Sequence, residues 1–226
     1  MDDMINKKAV KRNAVITAGL LLLFVLFTVA VRTTDVRTIG PDGTRVGFAA
    51  MNSAFHRLTG VHMTLYTVTD FAGIFPVLLG FGFAVLGLCQ WIHRRHFLAV
   101  DGRLFALGIF YILMAAAYLL FEKYPVNYRP VRIDGYLEAS YPSSTTLLVL
   151  CVIPTAMAEF SARIRRPALR RAVLWGLAAF AVLTVVGRLI SGVHWLSDII
   201  GGILLSSGLV MLYATLVPLF SAQKKG

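Results

Sequence analysis

Charged residues divide the chain into six long uncharged runs, at 13–31, 71–93, 104–121, 139–158, 172–187 and 199–223. A helix that crosses a bilayer needs about 20 apolar residues, within a range of about 17–25. Five runs meet that length. The run 172–187 is short and ends at Arg188, which singles that arginine out. The pattern predicts an all-α, polytopic membrane protein: one domain, residues 1–226, built as a six-transmembrane-helix bundle. The predicted helices are about 13–31, 71–93, 104–121, 141–160, 171–190 and 196–219. Pro76 and Pro154 fall inside spans and predict kinks, which neighbouring helices can accommodate. The longest connection is the outer loop 32–70, where PDG marks a turn. Further along it, Phe48, Met51, Phe55 and Leu58 recur at helical spacing, with Asn52, Ser53, His56 and Arg57 off that stripe. This amphipathic segment fits a helix lying on the outer membrane surface, and equally a short helix packed on the bundle mouth.

Composition agrees with the pattern. The chain is 58% hydrophobic with a mean hydropathy of +0.74, above the roughly 45–50% apolar content of soluble domains. Of its 22 Lys and Arg residues, 14 lie in 1–12, 94–103, 159–171 and 221–226, which include the clusters KKAVKR and RIRRPALRR. Short basic connections stay on the cytoplasmic side. Both termini are therefore expected in the cytoplasm, with Tyr141 and the acidic and polar connections at the outer face. The net charge of +11 flanks helices rather than forming one stripe, so no nucleic-acid partner is expected. The first run is long for a signal peptide, and VAVRT is a poor cleavage site. Cys89 and Cys151 have neither disulfide nor metal spacing. No metal and no cofactor are expected, since the carboxylates are not clustered and arginines can supply the positive charge.

Chemistry concentrates in two outer segments. The stretch VGRLISGVHWLSD holds Arg188, His194 and Asp198. His194 and Asp198 are four apart and share a face on a helix. A carboxylate that takes the proton of one imidazole nitrogen leaves the other as an oriented lone pair. A charge near the end of a span is costly, and a guanidinium matches phosphate oxygens. The stretch EKYPVNYRPVRIDGYLEASYPSST holds Lys123, Arg129 and Glu138, then Pro142, Ser143, Ser144 and Thr145 at the start of a predicted helix. Hydroxyls there are ordinary caps. Beside cations and an oriented His, the same helix start becomes a cradle for an anion.

These residues resemble the type 2 phosphatidic acid phosphatase (PAP2) superfamily, whose signature is KxxxxxxRP, PSxH and SRxxxxxHxxxD. The matching positions are Arg129-Pro130, then Pro142-Ser143-Ser144-Thr145, then Gly187-Arg188 with His194 and Asp198. The resemblance spans roughly 70–220 and is similar to the integral-membrane branch. It implies that His194 is the nucleophile that forms a phosphohistidine and that Asp198 orients it. It also implies that Arg129, Arg188, Ser143, Ser144 and Lys123 bind phosphate, and that the substrate is a lipid phosphate met among membrane lipids. Three positions depart from the signature: the Lys position is Glu122, the Ser position is Gly187, and the second-motif His is Thr145. A hydroxyl cannot replace that His as general acid, which is worth about 10²–10⁴-fold. The proton would come from Glu138, Asp134, Tyr136, Glu122, His56 or His62, or the leaving group would need none, as when a lipid diphosphate expels a lipid phosphate. The last case tilts the expectation toward a diphosphate such as a polyprenyl diphosphate. A phosphotransferase, or a non-catalytic lipid-phosphate binder or transporter, remains the alternative.

Overall fold

A computed structural model describes residues 2–96 and 99–222. Lys224 and Lys225, part of the basic C-terminal end, lie outside the described residues. The helices are α1 (Asp2–Thr33), α2 (Ala49–Thr59), α3 (Met63–Ala72), α4 (Ile74–Arg94), α5 (Gly102–Lys123), α6 (Ser144–Arg163), α7 (Pro167–Ile190) and α8 (Leu196–Ala222). Between α1 and α2, strands β1 (Arg37–Thr38) and β2 (Arg45–Val46) pair antiparallel, with Arg37 opposite Val46. Six stretches are long and apolar enough to cross a membrane: Lys7–Thr33, Met63–Arg94, Gly102–Lys123, Ser144–Arg163, Pro167–Ile190 and Leu196–Ser221.

Two boundaries move from the sequence expectation. The second span begins at Met63 rather than 71, because Asp70 sits inside it, paired with Arg188. A charge that finds a partner does not end a helix. That span breaks into α3 and α4 at Gly73, which caps both. Pro76 lies in the first turn of α4, where its missing N–H costs nothing. The break is therefore at the glycine, not at the proline. The short run 172–187 grows into α7, and Arg188 is in its last turn.

Helix α8 is the packing centre, in contact with α1, α5 and α6. Helix α6 is the most buried span, with 56% of its most apolar window inside the protein. Elsewhere the long apolar side chains point out, as with Phe81, Trp175 and Leu183, the pattern a bundle needs when its solvent is lipid. At Gly201 a Cβ would stand 2.5 Å from the Tyr141 ring. That absence lets the chain before α6 press onto α8. At the far end of α6, Glu159 is fully buried. It is held by Arg103, Arg163 and the Tyr213 hydroxyl, the full partnering that a buried carboxylate requires.

Candidate active site

The loop from 191 to 195 joins α7 to α8 and carries His194. Gly192 makes its path possible. It has φ +70°, and a Cβ there would fall 1.8 Å from the Gly60 carbonyl oxygen. The His62 N–H donates to the Ser191 carbonyl at 2.9 Å, so the connection between α2 and α3 holds this loop in place. His194 precedes α8 instead of lying on it, so the helical four-residue spacing is not what joins it to Asp198. Helix capping does that. Asp198 stands three residues after Trp195 and accepts its N–H at 2.9 Å, the reach-back half of a capping box. The turn this makes brings His194 Nδ1 to 3.6 Å from Asp198 Oδ2, with both side chains buried.

Two asparagines that the sequence reading gave no role fix the start of α8. Asn127 Nδ2 donates to Asp198 Oδ1 at 3.2 Å. Asn52, fully buried, donates to the Gly47 carbonyl at 2.7 Å and to Ser197 Oγ at 3.0 Å, and accepts the Ser197 N–H at 3.1 Å. The amphipathic segment is thus a helix packed on the bundle mouth by its polar side. Met51 and Leu58 of its apolar stripe face away from the bundle, while His56 lies against Trp195 with ring centroids 5.5 Å apart. A polar residue off an apolar stripe was the available signal for Asn52. Asn52→Ala strands the buried Ser197 N–H and the Gly47 carbonyl. The expected cost is about 2–4 kcal/mol, seen as a lower melting temperature in detergent. A variant that melts with the wild type would show that these bonds do not hold α8.

The two arginines meet over one ring. The Arg188 guanidinium lies 4.6 Å and that of Arg129 5.6 Å from the centroid of Tyr66. Such contacts are worth about 0.5–2 kcal/mol each. Both side chains are buried, and each takes a carboxylate partner from the rim. Arg188 Nη2 is 3.3 Å from Asp70 Oδ1, and Arg188 Nη1 donates to the Tyr66 carbonyl at 3.5 Å. Arg129 Nε is 2.9 Å from Glu138 Oε2, a close ion pair whose angle closes no hydrogen bond. Burial is the main influence that pushes His194 well below the ordinary imidazole range, and the charges of Arg129 and Arg188 add to it, so the ring is neutral. Trp195 Nε1 donates to the Tyr128 carbonyl at 2.8 Å, which ties the residue after His194 to the residue before Arg129 and brings the three side chains into one neighbourhood. Arg129 Nε and Nη1, Arg188 Nε, and both nitrogens of His194 are buried with no hydrogen-bond partner among the described residues. Orphaned donors cost about 1–3 kcal/mol each. Arg129 Nη1 and Arg188 Nε are cationic donors of the kind that an anion with several oxygens would satisfy, and His194 Nε2 stands unpartnered beside them.

The predicted cradle at α6 behaves differently residue by residue. Ser143 is the N-cap: its hydroxyl accepts from Thr146, and its N–H donates to the Asp198 carbonyl at 3.0 Å. Its backbone N–H therefore ties the start of α6 to α8. Ser144 and Thr145 line a groove of about 450 Å³ between α4, α5 and α6, whose walls include Ile74, Val77, Met114 and Leu148. Lys123 is exposed at the end of α5, its Nζ 5.6 Å from the Tyr124 ring centroid, and no observed contact joins it to the arginines. At Gly187, where the signature has Ser, a Cβ would come 2.8 Å from the Thr69 side chain, so α3 packs too close for a serine there.

The sequence profile of the PAP2 superfamily matches residues 105–221. Among solved structures, the chain is similar to a transmembrane PAP2-type phosphatidylglycerolphosphate phosphatase from Bacillus subtilis. The identity is 18%, the match covers 92% of this chain and 96% of that one, and the TM-score is 0.56. At that identity the likeness speaks for the fold. Comparison with curated proteins gives no match. With the profile spanning more than half of its residues and both arginines, His194 and Asp198 within it, the chain is a multi-pass membrane protein that belongs to the PAP2 superfamily.

Proposed function

We propose that this protein is a lipid phosphatase that removes phosphate from a lipid phosphate or diphosphate at the outer membrane face through a phosphohistidine. The observation that carries this reading is the convergence of orphaned nitrogens from Arg129, Arg188 and His194 on one buried site. The arginines neutralise the phosphoryl oxygens as charge redistributes. Asp198 faces Nδ1 of the imidazole and leaves Nε2 to attack phosphorus. The resulting imidazolium has its counter-ion 3.6 Å away. Water then attacks the phosphoenzyme, releasing phosphate and restoring the ring. The apolar groove that opens at Ser144 and Thr145 suits a lipid substrate, since its walls offer an acyl or prenyl tail a dry path beside the site. The outer-face location follows from the basic connections on the opposite side.

The test is acid-labile, alkali-stable phosphate on the purified protein after rapid mixing with a radiolabelled lipid phosphate. Label accompanied by phosphate release supports hydrolysis. Binding with neither label nor release would leave a lipid-phosphate binder. The pH dependence has a defined sign. His194 is held below its ordinary value of 6.5, so the free enzyme keeps a neutral nucleophile as pH falls through that value. The acid limb of kcat/KM is expected below 6.5, and a limb centred there would count against a buried neutral His194. Stability runs in the matching direction. Below 6.5 the unfolded chain binds a proton that the folded His194 refuses, so the contribution of this group weakens as pH drops.

A further inference from the structure

The loss of the second-motif His leaves the leaving oxygen without its family donor, and the residues around Thr145 offer a replacement that lies outside the three motifs. The groove marks the leaving-group side. If the substrate's tail lies along Val77, Met114 and Leu148, the bond between phosphorus and the lipid oxygen points toward the groove's rim. The polar side chains on that rim are Asp70, Tyr118, Ser144 and Thr145. Asp70 is the one carboxylate among the residues lining it; Glu138 is not one of them and stays with Arg129. Asp70 is also beside the proposed phosphate grip, its Oδ1 3.3 Å from Arg188 Nη2, with its side chain 57% exposed. The turn after Asp70 packs on the residue that replaced the His. A Cβ built on Gly73 would be 2.9 Å from the Asp70 carbonyl oxygen and 3.9 Å from Thr145 Cγ2.

We infer that Asp70 is the proton donor to the leaving group, taking over the work of the His that Thr145 replaces. This rests on the phosphatase reading above. Before substrate arrives, the carboxylate pairs with Arg188. The phosphate monoester, arriving with one acidic proton, takes Arg188 for itself and passes that proton to the displaced Asp70 carboxylate, which then stands as the acid next to the lipid oxygen. As His194 Nε2 bonds to phosphorus, the bond from phosphorus to the lipid oxygen breaks. The Asp70 proton passes to that oxygen and the lipid alcohol departs. The carboxylate left behind takes a proton from the water whose oxygen attacks the phosphohistidine, which frees His194 and phosphate, and it gives that proton to the departing phosphate as it pairs again with Arg188. With a donor in place, an alkoxide can leave. The missing His then no longer selects a diphosphate, and a lipid phosphate monoester becomes a competent substrate.

The experiment compares wild type and Asp70→Asn, as full-length protein in detergent, on two substrates. One is a phosphatidate, whose alkoxide leaving group needs a proton. The other is p-nitrophenyl phosphate, whose phenolate leaves without one. Asn keeps the size and a hydrogen bond to Arg188 but carries no acidic proton. Expected is a fall in kcat about 10²-fold or more on phosphatidate, at least tenfold greater than the fall on p-nitrophenyl phosphate. A Thr145→His/Asp70→Asn double variant is expected to recover phosphatidate turnover at least tenfold over Asp70→Asn, because it returns the family's donor. Equal losses on the two substrates would make Asp70 a positioning residue for Arg188 and overturn the inference, as would a double variant no better than the single one. A wild type that turns over neither substrate would instead overturn the phosphatase reading, and this inference with it.

Discussion

His194→Ala lowers phosphate release from a lipid phosphate by about 10⁴-fold or more, while binding of the same lipid changes little. Covalent catalysis splits one displacement into two, and without its nucleophile neither half proceeds. The members of such a unit do not add, so the loss from His194 alone approaches that from losing His194 and Asp198 together. Binding is expected to be spared because the proposed phosphate ligands, Arg129 and Arg188, both stay in place on Tyr66. The measurement is phosphate release beside lipid binding for wild type, His194→Ala, and a double variant that adds Asp198→Asn. A variant that keeps even a tenth of wild-type turnover would remove His194 from the chemistry. The fold would then be used for lipid-phosphate binding, a reading favoured by Glu122 and Thr145 at two motif positions.

Arg188→Ala gives the second-largest effect, a fall in kcat/KM of about 10²–10³-fold, the range seen when one preorganised donor to a developing charge is removed. The side chain is 1% exposed, so water cannot take its place cheaply. Its Nε has no hydrogen-bond partner among the described residues, and its Nη2 can exchange Asp70 for a phosphate oxygen. Arg188→Lys restores charge but not the planar fork, and it is expected to recover only part of the loss. The check is kcat and KM for the three proteins, with retention on a sizing column as evidence of folding. Lys matching Arg would show that charge alone suffices at this position.

Much of this protein is legible without coordinates, and particular residues show where legibility stops. Five uncharged runs of membrane length, together with the shorter run 172–187, locate all six spans, because a backbone in lipid must bond to itself and so must be helical. The interval from Arg188 through His194 to Asp198 carries the chemistry in plain spacing. The physics of the pair is nonetheless different from what spacing suggested. The shared helix face gives way to a capping turn, since His194 stands before the helix. Asp70 was hidden by a rule that serves well elsewhere. A charge reads as the end of a membrane run, yet a charge 118 residues from its arginine in sequence can sit inside the span once the two meet.

Hydrophobic length and local motif spacing, which are properties of neighbouring residues, carried the fold class, the number of spans and the resemblance from which His194, Asp198, Arg129 and Arg188 are proposed as nucleophile, partner and phosphate ligands. Only the tertiary structure decided what surrounds them. It placed Tyr66 beneath both guanidiniums, Asn52 and Asn127 at the head of α8, and Asp70 beside the position the family gives to His. Those partners come from segments far apart along the chain, and the buried ones are drawn together because a buried polar group needs a hydrogen-bond partner. Pairings of that kind are set by how helices pack, and no local pattern encodes them.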